Sequence, residues 1–330
     1  MYRMEFYIMQ IILFLGGLAL FLFGMEMMGK ALEQQAGSKL QTILSKMSSG
    51  IFRGIFLGLA TTAVIQSSSA TTVMVIGFVN SGIMTLGQAL GIIMGSNIGT
   101  TVTAWLLSLT ALEGSGIIAF FKPEVLASAL GGVGVVLYLF VKKPGLRSTG
   151  AVFLGLLVLL TGMKRMSDSM AFLNDIPWFA RLMVSFQNPL LGILAGAGLT
   201  ALIQSSSASV GVLQGLCATG ALPLATALPI ILGQNIGTCV TALLGAVGTS
   251  CNGQRAALLH LLFNLSGVFL FGLLFYGIGL FYPWRFLKNT ATAMDIAVIH
   301  SLFNIGTTVV LLPFRSLLVK MTVWVIPQDR

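Results

Sequence analysis

Two short polar segments recur in this sequence at a fixed spacing. Residues 66–70 and 204–208 both read Gln-Ser-Ser-Ser-Ala, and the copies are 138 residues apart. An identical Asn-Ile-Gly-Thr segment follows each copy at residues 97–100 and 235–238, with the same spacing. Hydroxyls and the amides at a helix N-terminus favour an anion, whereas hydroxyl and unwound carbonyl oxygens suit a hard cation such as sodium. The segments therefore have the chemistry to bind an anion together with sodium.

The composition places these polar segments in a membrane protein. The 330 residues are 56% hydrophobic and 8% charged, with a mean hydropathy of +0.96, whereas a soluble domain has about 25% charged residues. The alternating strands of a membrane β-barrel are absent from the sequence, so we expect an all-α integral membrane protein. The apolar stretches that approach or exceed the ~20 residues of a spanning helix are 8–23, 86–109, 125–141, 151–163, 222–247, 256–281 and 296–312.

The residues around each serine run predict a re-entrant helical hairpin. In the first copy the two arms cover residues 51–66 and 69–81, and each is shorter than the ~20 residues of a full crossing. Two short arms joined by a polar turn would enter and leave the membrane by the same face. The sequence therefore predicts one Gln-Ser-Ser-Ser hairpin in each repeat.

An odd number of crossings separates the two copies, which would invert the second copy relative to the first. Inverted repeats are typical of secondary transporters, and their symmetry would bring the two hairpin tips together near the bilayer centre. We accordingly divide the chain into repeat 1 (1–110), a linking spanning helix (111–150), inverted repeat 2 (151–250) and C-terminal spanning helices (251–330).

Two finer features are expected within each repeat. The segments 31–47 and 166–186 mix charged and apolar residues at helical spacing, which predicts helices at the membrane surface, with packing against other helices as the alternative. The glycine of each Asn-Ile-Gly-Thr segment predicts a break in the spanning helix, where Asn and Thr would replace the lost backbone partners.

A second, smaller repeat occupies the C-terminal part of the sequence. The pattern His-x-x-Phe-Asn begins at His260 and again at His300. On a helix, residues at i, i+3 and i+4 share one face, so each motif presents a polar pair beside an aromatic ring. Two roles remain open for these residues, namely interhelical hydrogen bonds and direct contact with a ligand.

The distribution of charge constrains the function further. The predicted membrane interior is almost free of charged residues, since Glu26, Arg255 and Asp295 lie near its boundaries. Neutral dipoles alone could not hold a bare dianion in a medium of low dielectric constant, so cations would have to bind with it. Enzymatic use of the serines is excluded for want of a base, because the only two histidines lie in matching Phe-Asn contexts.

The basic residues are read as determinants of topology. The net charge is +9, but the Lys and Arg residues are spread over loops, which excludes nucleic acid as a partner. Their distribution predicts an external N-terminus and a cytoplasmic C-terminus. The three cysteines have no metal-ligand spacing.

These motifs resemble those of the type II sodium–phosphate cotransporter family, in its bacterial branch. The resemblance rests on the two Gln-Ser-Ser-Ser segments, the two Gly-x-Asn-Ile-Gly-Thr segments and the His-x-x-Phe-Asn motifs. It implies sodium-coupled transport of inorganic phosphate by alternating access at the serine hairpins. Some members have an Asp directly after the motif histidine, linked to an additional sodium ion; here Leu261 and Ser301 occupy those positions, which favours electroneutral transport.

Carried over to this sequence, the resemblance implies a set of site residues. The phosphate-binding residues would be Gln66, Ser67, Ser68, Ser69, Gln204, Ser205, Ser206 and Ser207. The sodium-binding residues would be Ser68, Ser69, Asn97, Thr100, Thr101, Ser206, Ser207, Asn235 and Thr238. The supporting residues would be His260, Asn264, His300 and Asn304.

The partners follow from the same reasoning. We expect inorganic phosphate, Na+ as the coupling ion with no other cofactor, and the lipid bilayer of the bacterial cytoplasmic membrane; a homodimer is left open. Two alternatives stand beside phosphate uptake. One is a sodium-coupled carrier of another anion, such as a dicarboxylate, sulfate or arsenate, and the other is a phosphate sensor or exporter.

Overall fold

The computed structural model describes residues 2–47, 50–109 and 123–327, and within these ranges the chain is helical with no strand. Three 3-10 turns, Ala171–Asp175, Arg285–Lys288 and Leu312–Phe314, join some of the helices. The α-helices are α1 Tyr2–Met47, α2 Ile51–Ile65, α3 Ser68–Asn80, α4 Leu86–Ser108, α5 Pro123–Phe140, α6 Pro144–Met170, α7 Pro177–Ser185, α8 Pro189–Ile203, α9 Ser206–Cys217, α10 Leu224–Gly245, α11 Cys251–Phe281, α12 Ala293–Leu311 and α13 Arg315–Val325.

Six helical segments of the described chain are long and apolar enough to cross a membrane. They correspond to α1, α4, α6, α10, α11 and the continuous pair α12–α13. The predicted span at 125–141 corresponds to α5, whose apolar part, Val125–Phe140, is shorter than the other six. The prediction of an all-α integral membrane protein is confirmed.

The helices of the two repeats begin at equivalent residues. Each of α8, α9 and α10 starts 138 residues after α2, α3 and α4, respectively. The first helices of the repeats, α1 and α6, pack against each other in opposite directions, because Gly17 lies against Met166 whereas Gly24 lies against Leu159. Equivalent helices that run antiparallel are the arrangement expected of inverted repeats.

The serine segments form the turns of two helical hairpins. Thr62 Oγ1 of α2 donates a hydrogen bond to Thr71 Oγ1 of α3 at 3.1 Å, and Thr200 Oγ1 donates to Ser209 Oγ at 2.8 Å. Residues nine apart in an uninterrupted helix would lie about 13.5 Å from each other. The chain therefore reverses direction at each turn, and because the arms are too short to cross singly, the predicted re-entrant hairpins are confirmed.

A left-handed glutamine produces each reversal. Gln66 and Gln204, with φ of 59° and 57°, are the only non-glycine residues with positive φ in the part of the chain that the structure describes. Their amides bond to Thr62 O and Thr200 O, which closes the last turn of α2 and α8. This conformation is costly for a residue with a side chain, and its occurrence at both tips points to a functional constraint.

The expected surface helix over residues 31–47 does not form a helix of its own, since α1 continues without interruption from Tyr2 to Met47. In the second repeat the equivalent chain breaks, because α6 ends at Met170 and Pro177 begins the short helix α7. Proline lacks an amide hydrogen and clashes with the preceding turn, whereas the equivalent position in repeat 1 is Lys39. Helix α7 is bent by 104° from α8.

The expected helix breaks at Asn-Ile-Gly-Thr are wrong, because α4 and α10 run through both segments as continuous helices. The glycines serve close packing instead. A Cβ on Gly95 of α4 would overlap the carbonyl oxygen of Ile55 in α2, and a Cβ on Gly233 would overlap that of Ile193. Each hairpin is thus held tightly against the following spanning helix.

This packing predicts that Gly95→Ala destabilises the protein. The added methyl group must displace the backbone of α2, and overpacking of this kind costs about 1–3 kcal/mol. Gly87→Ala is the matched control on the same helix, because nothing lies within 4 Å of a Cβ at Gly87. Thermal unfolding in detergent should show a lower melting temperature for Gly95→Ala only; equal melting temperatures would contradict the proposed contact.

Candidate functional site

The two hairpin tips meet inside the protein. Ser68 Oγ and Ser206 Oγ lie 3.4 Å apart, and both side chains are buried. These serines are the first residues of α3 and α9. The N-termini of two helices from different repeats therefore face one point.

The caps of α3 and α9 leave amides available at that point. Ser67 Oγ accepts a hydrogen bond from the Ala70 amide at 3.1 Å, and Ser205 Oγ accepts one from the Ala208 amide at 3.2 Å. The first residues of a helix have no intrahelical acceptor for their amides, so those of Ser68 and Ser206 remain free to bind a ligand. The partial positive charges of two N-termini repel each other and would be stabilised by an anion between them.

A cavity of about 510 Å³ reaches both tips. It contacts all six serines of the two runs and both left-handed glutamines, so it joins the two repeats. Its remaining wall is formed largely by one face of α1. The lining consists of residues 66–70 and 204–207 with Leu22, Met25, Glu26, Gly29, Lys30, Glu33, Ile65 and Ile203.

One face of α4 lies along the tips. Thr103 Oγ1 donates a hydrogen bond to Gln66 Oε1 at 2.8 Å and accepts one from Ser207 Oγ at 3.5 Å, so it bridges the two hairpins. One turn and a half before it, Ser96 Oγ donates to the Ser68 carbonyl at 3.5 Å. Ser96, Thr100 and Thr103 therefore form an oxygen-bearing stripe against both serine runs.

The equivalent face of α10 has oxygen atoms without partners. Gln234 Nε2 donates to Ser209 Oγ at 2.9 Å, and the Thr238 hydroxyl donates to the Gln234 carbonyl at 2.9 Å. Among the described residues, no hydrogen-bond partner reaches the buried atoms Gln234 Oε1 and Thr241 Oγ1. Unpaired buried oxygen is costly, and a cation is a ligand that such oxygen atoms would accept.

Sequence reasoning missed three pairs of residues in this region. Thr62 and Thr200, Ser96 and Gln234, and Thr103 and Thr241 are equivalent positions of the two repeats, 138 residues apart. All are polar, and the structure places each pair beside a serine tip. The signal that could have found them is the offset itself, applied to every polar residue near the motifs.

The Asn-Ile-Gly-Thr residues contact the serine runs less directly than expected. Asn97 Nδ2 donates to Asn264 Oδ1 of α11 at 2.8 Å, and Asn235 Nδ2 donates to the Ile231 carbonyl at 2.9 Å. The hydroxyls of Thr100 and Thr101 donate to carbonyls of their own helix, which leaves their oxygen lone pairs available. The structure does not bring Asn97 or Asn235 into hydrogen-bond contact with a serine of the runs.

The His-x-x-Phe-Asn motifs lie behind the site in the helix bundle. Asn264 ties α11 to α4 through Asn97, which supports the interhelical role for this residue. His260 and His300 are buried, and in the described part of the chain neither ring nitrogen of His260 has a hydrogen-bond partner. Asn304 Nδ2 donates to the His300 carbonyl at 2.9 Å. Neither motif lines the cavity at the tips.

A cavity of about 620 Å³ elsewhere in the protein contains none of the expected site residues. It lies between the beginning of α4 and α13, where it is lined by Thr85, Gln88, Arg315 and Lys320 among others. The serine cavity is therefore the better candidate, because its two helix N-termini, its hydroxyls and its duplicated residues meet at one place.

Spanning helices around two facing re-entrant tips and a polar interior cavity define a membrane transport protein. The family model described as Na+/Pi-cotransporter matches this chain twice, at residues 20–168 and 158–310. The chain therefore belongs to the Na+/Pi-cotransporter family. The two matches coincide with the two structural repeats.

Individual relatives support the same assignment. The Bacillus subtilis protein YqeW, which is named uncharacterized, is 29% identical over 93% of this chain and 95% of its own length. The Escherichia coli protein YjbB, named a putative inorganic phosphate export protein, is 28% identical over 77% of this chain, a match that covers 45% of YjbB. Mouse sodium-dependent phosphate transport protein 2C is 44% identical over 24% of this chain and 14% of its own length. No solved structure matches the chain.

Proposed function

We propose that this protein couples sodium to the movement of inorganic phosphate across the bacterial cytoplasmic membrane by alternating access. The observation that carries the proposal is the 3.4 Å approach of Ser68 Oγ to Ser206 Oγ at the facing N-termini of α3 and α9. Phosphate would lie against these hydroxyls and free amides. The family membership, and the printed names of YjbB and protein 2C, support phosphate as the anion.

Sodium would provide the missing positive charge. Hydroxyls and amide dipoles do not neutralise a dianion, and an uncompensated charge in the membrane interior costs several kcal/mol or more. The oxygen stripes of α4 (Ser96, Thr100, Thr103) and α10 (Gln234, Thr238, Thr241) are the candidate sodium ligands nearest the tips. One sodium ion on each stripe with one divalent phosphate would make the loaded carrier electroneutral.

The asymmetry of the cavity supports alternating access. The face of α1 that carries Lys30 lines the open cavity. On α6, the equivalent helix, Leu160 and Met163 are instead buried in a hydrophobic cluster with Ala208 of the second hairpin. We infer that this conformation opens the site along α1, and that the opposite conformation opens the equivalent space along α6.

The direction of flux depends on the gradients. A carrier of this kind is reversible, so a sodium gradient favours uptake, whereas a high internal phosphate concentration favours efflux. Export is the second candidate function, and the observation in its favour is the match to YjbB, named as an exporter. The remaining proposals are an external N-terminus, a cytoplasmic C-terminus, no enzymatic activity, no cofactor besides Na+, and no nucleic-acid partner; a homodimer stays open.

Counterflow in proteoliposomes tests the proposed function. Vesicles loaded with unlabelled phosphate should accumulate external radiolabelled phosphate in sodium buffer, but not when potassium or choline replaces sodium. Excess sulfate, succinate or arsenate in the external buffer identifies the competing anions. Counterflow that is independent of the cation, or stronger inhibition by succinate than by phosphate, would contradict sodium-coupled phosphate transport.

The unpaired oxygen on α10 leads to a prediction for sodium affinity. Thr241→Val removes a buried hydroxyl that has no protein partner, so folding should be preserved. If that oxygen binds sodium, its loss should raise the half-saturating sodium concentration about tenfold, because each tenfold change corresponds to ~1.4 kcal/mol. Sodium titration of phosphate uptake measures this change.

Val240→Ala, on the neighbouring position of α10, serves as the control substitution. An unchanged sodium dependence in Thr241→Val would exclude this hydroxyl as a ligand.

A further inference from the structure

The cavity that reaches the serines has charged side chains only on α1, among the described residues that line it. Glu26, Lys30 and Glu33 are spaced at i, i+4 and i+7, so they lie on one face of the helix. Lys30 Nζ contacts Glu26 Oε1 at 2.8 Å, and both side chains are well exposed, at 67% and 64%. We call Glu26, Lys30 and Glu33 the vestibule triad.

We propose that the vestibule triad sets which ions reach the serine site. Lys30 would admit the phosphate dianion by compensating the neighbouring carboxylates, and Glu26 and Glu33 would raise the local concentration of sodium. This inference rests on the proposed phosphate transport and adds residues that are distant in sequence from the motifs.

The sign of the local charge supports separate roles. Two carboxylates and one ammonium give the triad a net charge of −1, which attracts sodium and repels phosphate weakly. Without Lys30 the same wall would carry −2. In water at about 10 Å, one unit of charge acting on a dianion changes its local concentration roughly fourfold. The effect acts on entry, because the triad does not contact the tips through any hydrogen bond.

The second repeat does not duplicate the triad. Its equivalent positions are Lys164, Asp168 and Ala171. Lys164 and Asp168 line a separate cavity of about 520 Å³ that contains no residue of either serine run. The triad is therefore a property of the α1 side of the protein, which is the side where the serine cavity is open.

Two charge-neutralising substitutions should act in opposite directions. Lys30→Gln should raise the KM for phosphate about fourfold, and Glu33→Gln should lower it by a similar factor while raising the half-saturating sodium concentration. The maximal rate should stay unchanged in both, because the serine site is intact. Both shifts should shrink as choline chloride is added, since salt screens exposed charges.

Two further variants separate charge from structure. Lys30→Arg should keep the wild-type KM. Lys142→Gln removes the same charge from a residue that lines a different cavity, together with Gln34 of α1, and should leave the KM unchanged.

Chemical modification provides a rescue in one polypeptide. In a background without the native cysteines, Lys30→Cys treated with an aminoethyl thiosulfonate regains a positive charge and should recover the wild-type KM. A sulfonatoethyl reagent adds a negative charge and should raise the KM further.

The inference is overturned if Lys30→Gln and Glu33→Gln shift the KM in the same direction, if Lys142→Gln shifts it equally, or if the two reagents act alike. Wild-type proteoliposomes report on the proposed function independently. If they transport phosphate with sodium and the variants show no opposed shifts, only the role of the triad fails. If they do not transport phosphate, the proposed function fails and the inference with it.

Discussion

Ser206→Ala is expected to lower sodium-driven phosphate uptake about tenfold to hundredfold, which corresponds to the ~1.5–3 kcal/mol of a hydrogen bond to a charged group. The hydroxyl of Ser206 lies 3.4 Å from that of Ser68 at the point where two helix N-termini meet. Ser68→Ala should have a comparable effect, and the double variant should approach the rate of protein-free vesicles. Initial rates of labelled phosphate uptake into proteoliposomes measure the loss.

Ser81→Ala is the control for these variants. Ser81 lies at the opposite end of α3, where its hydroxyl donates only to the nearby Phe78 carbonyl, and its loss should leave the uptake rate unchanged. Melting temperatures verify that each variant folds. Wild-type uptake in Ser68→Ala and Ser206→Ala would remove these hydroxyls from the transport site.

A tenfold inward sodium gradient is expected to concentrate phosphate about hundredfold in proteoliposomes. Each sodium ion moving down that gradient supplies ~1.4 kcal/mol, and two ions are proposed to move with each divalent phosphate. No net charge would then cross the membrane, so the membrane potential, worth ~2.3 kcal/mol per charge per 100 mV, should not change the accumulation ratio. The proposed neutrality reflects the lack of an acidic residue at the tips.

Two measurements check this expectation. Accumulation is measured with an imposed potassium diffusion potential of either sign, and current is recorded when phosphate is added to a supported membrane. A potential-independent ratio without current is the expected result. A phosphate-induced current, or accumulation that follows the potential, would contradict electroneutral coupling.

The sequence predicted the features that depend on local chemistry and on duplication. Short arms flanking a polar turn predicted the hairpins because their length cannot span the hydrocarbon core. The spacing of 138 residues predicted which helices are equivalent, and the structure has the same starts for α2 and α8 and for α3 and α9 with that offset. The meeting of Ser68 and Ser206 was expected from inversion alone.

Other features depend on contacts between helices and could not be predicted from single motifs. Gly95 and Gly99 suggested an unwound helix, since glycine permits both unwinding and close packing, and only the position of α2 decides between them. The role of Thr103 as a bridge depends on the position of Gln66 and Ser207 together. The wall formed by α1 was not expected, because the charged residues of that helix were assigned to a boundary.

Cysteine cross-linking measures the convergence of the hairpin tips most directly. In a variant whose three native cysteines are replaced, Ser68→Cys with Ser206→Cys should form a disulfide within one polypeptide, identified by mass spectrometry, because the native hydroxyls are 3.4 Å apart. Ser81→Cys with Ser206→Cys is the control, since Ser81 lies about 20 Å further along α3. Rapid cross-linking of the first pair alone, with loss of phosphate transport that a reductant reverses, is the predicted result. Equal cross-linking of the two pairs, or none in either, would contradict a single site formed by both hairpins.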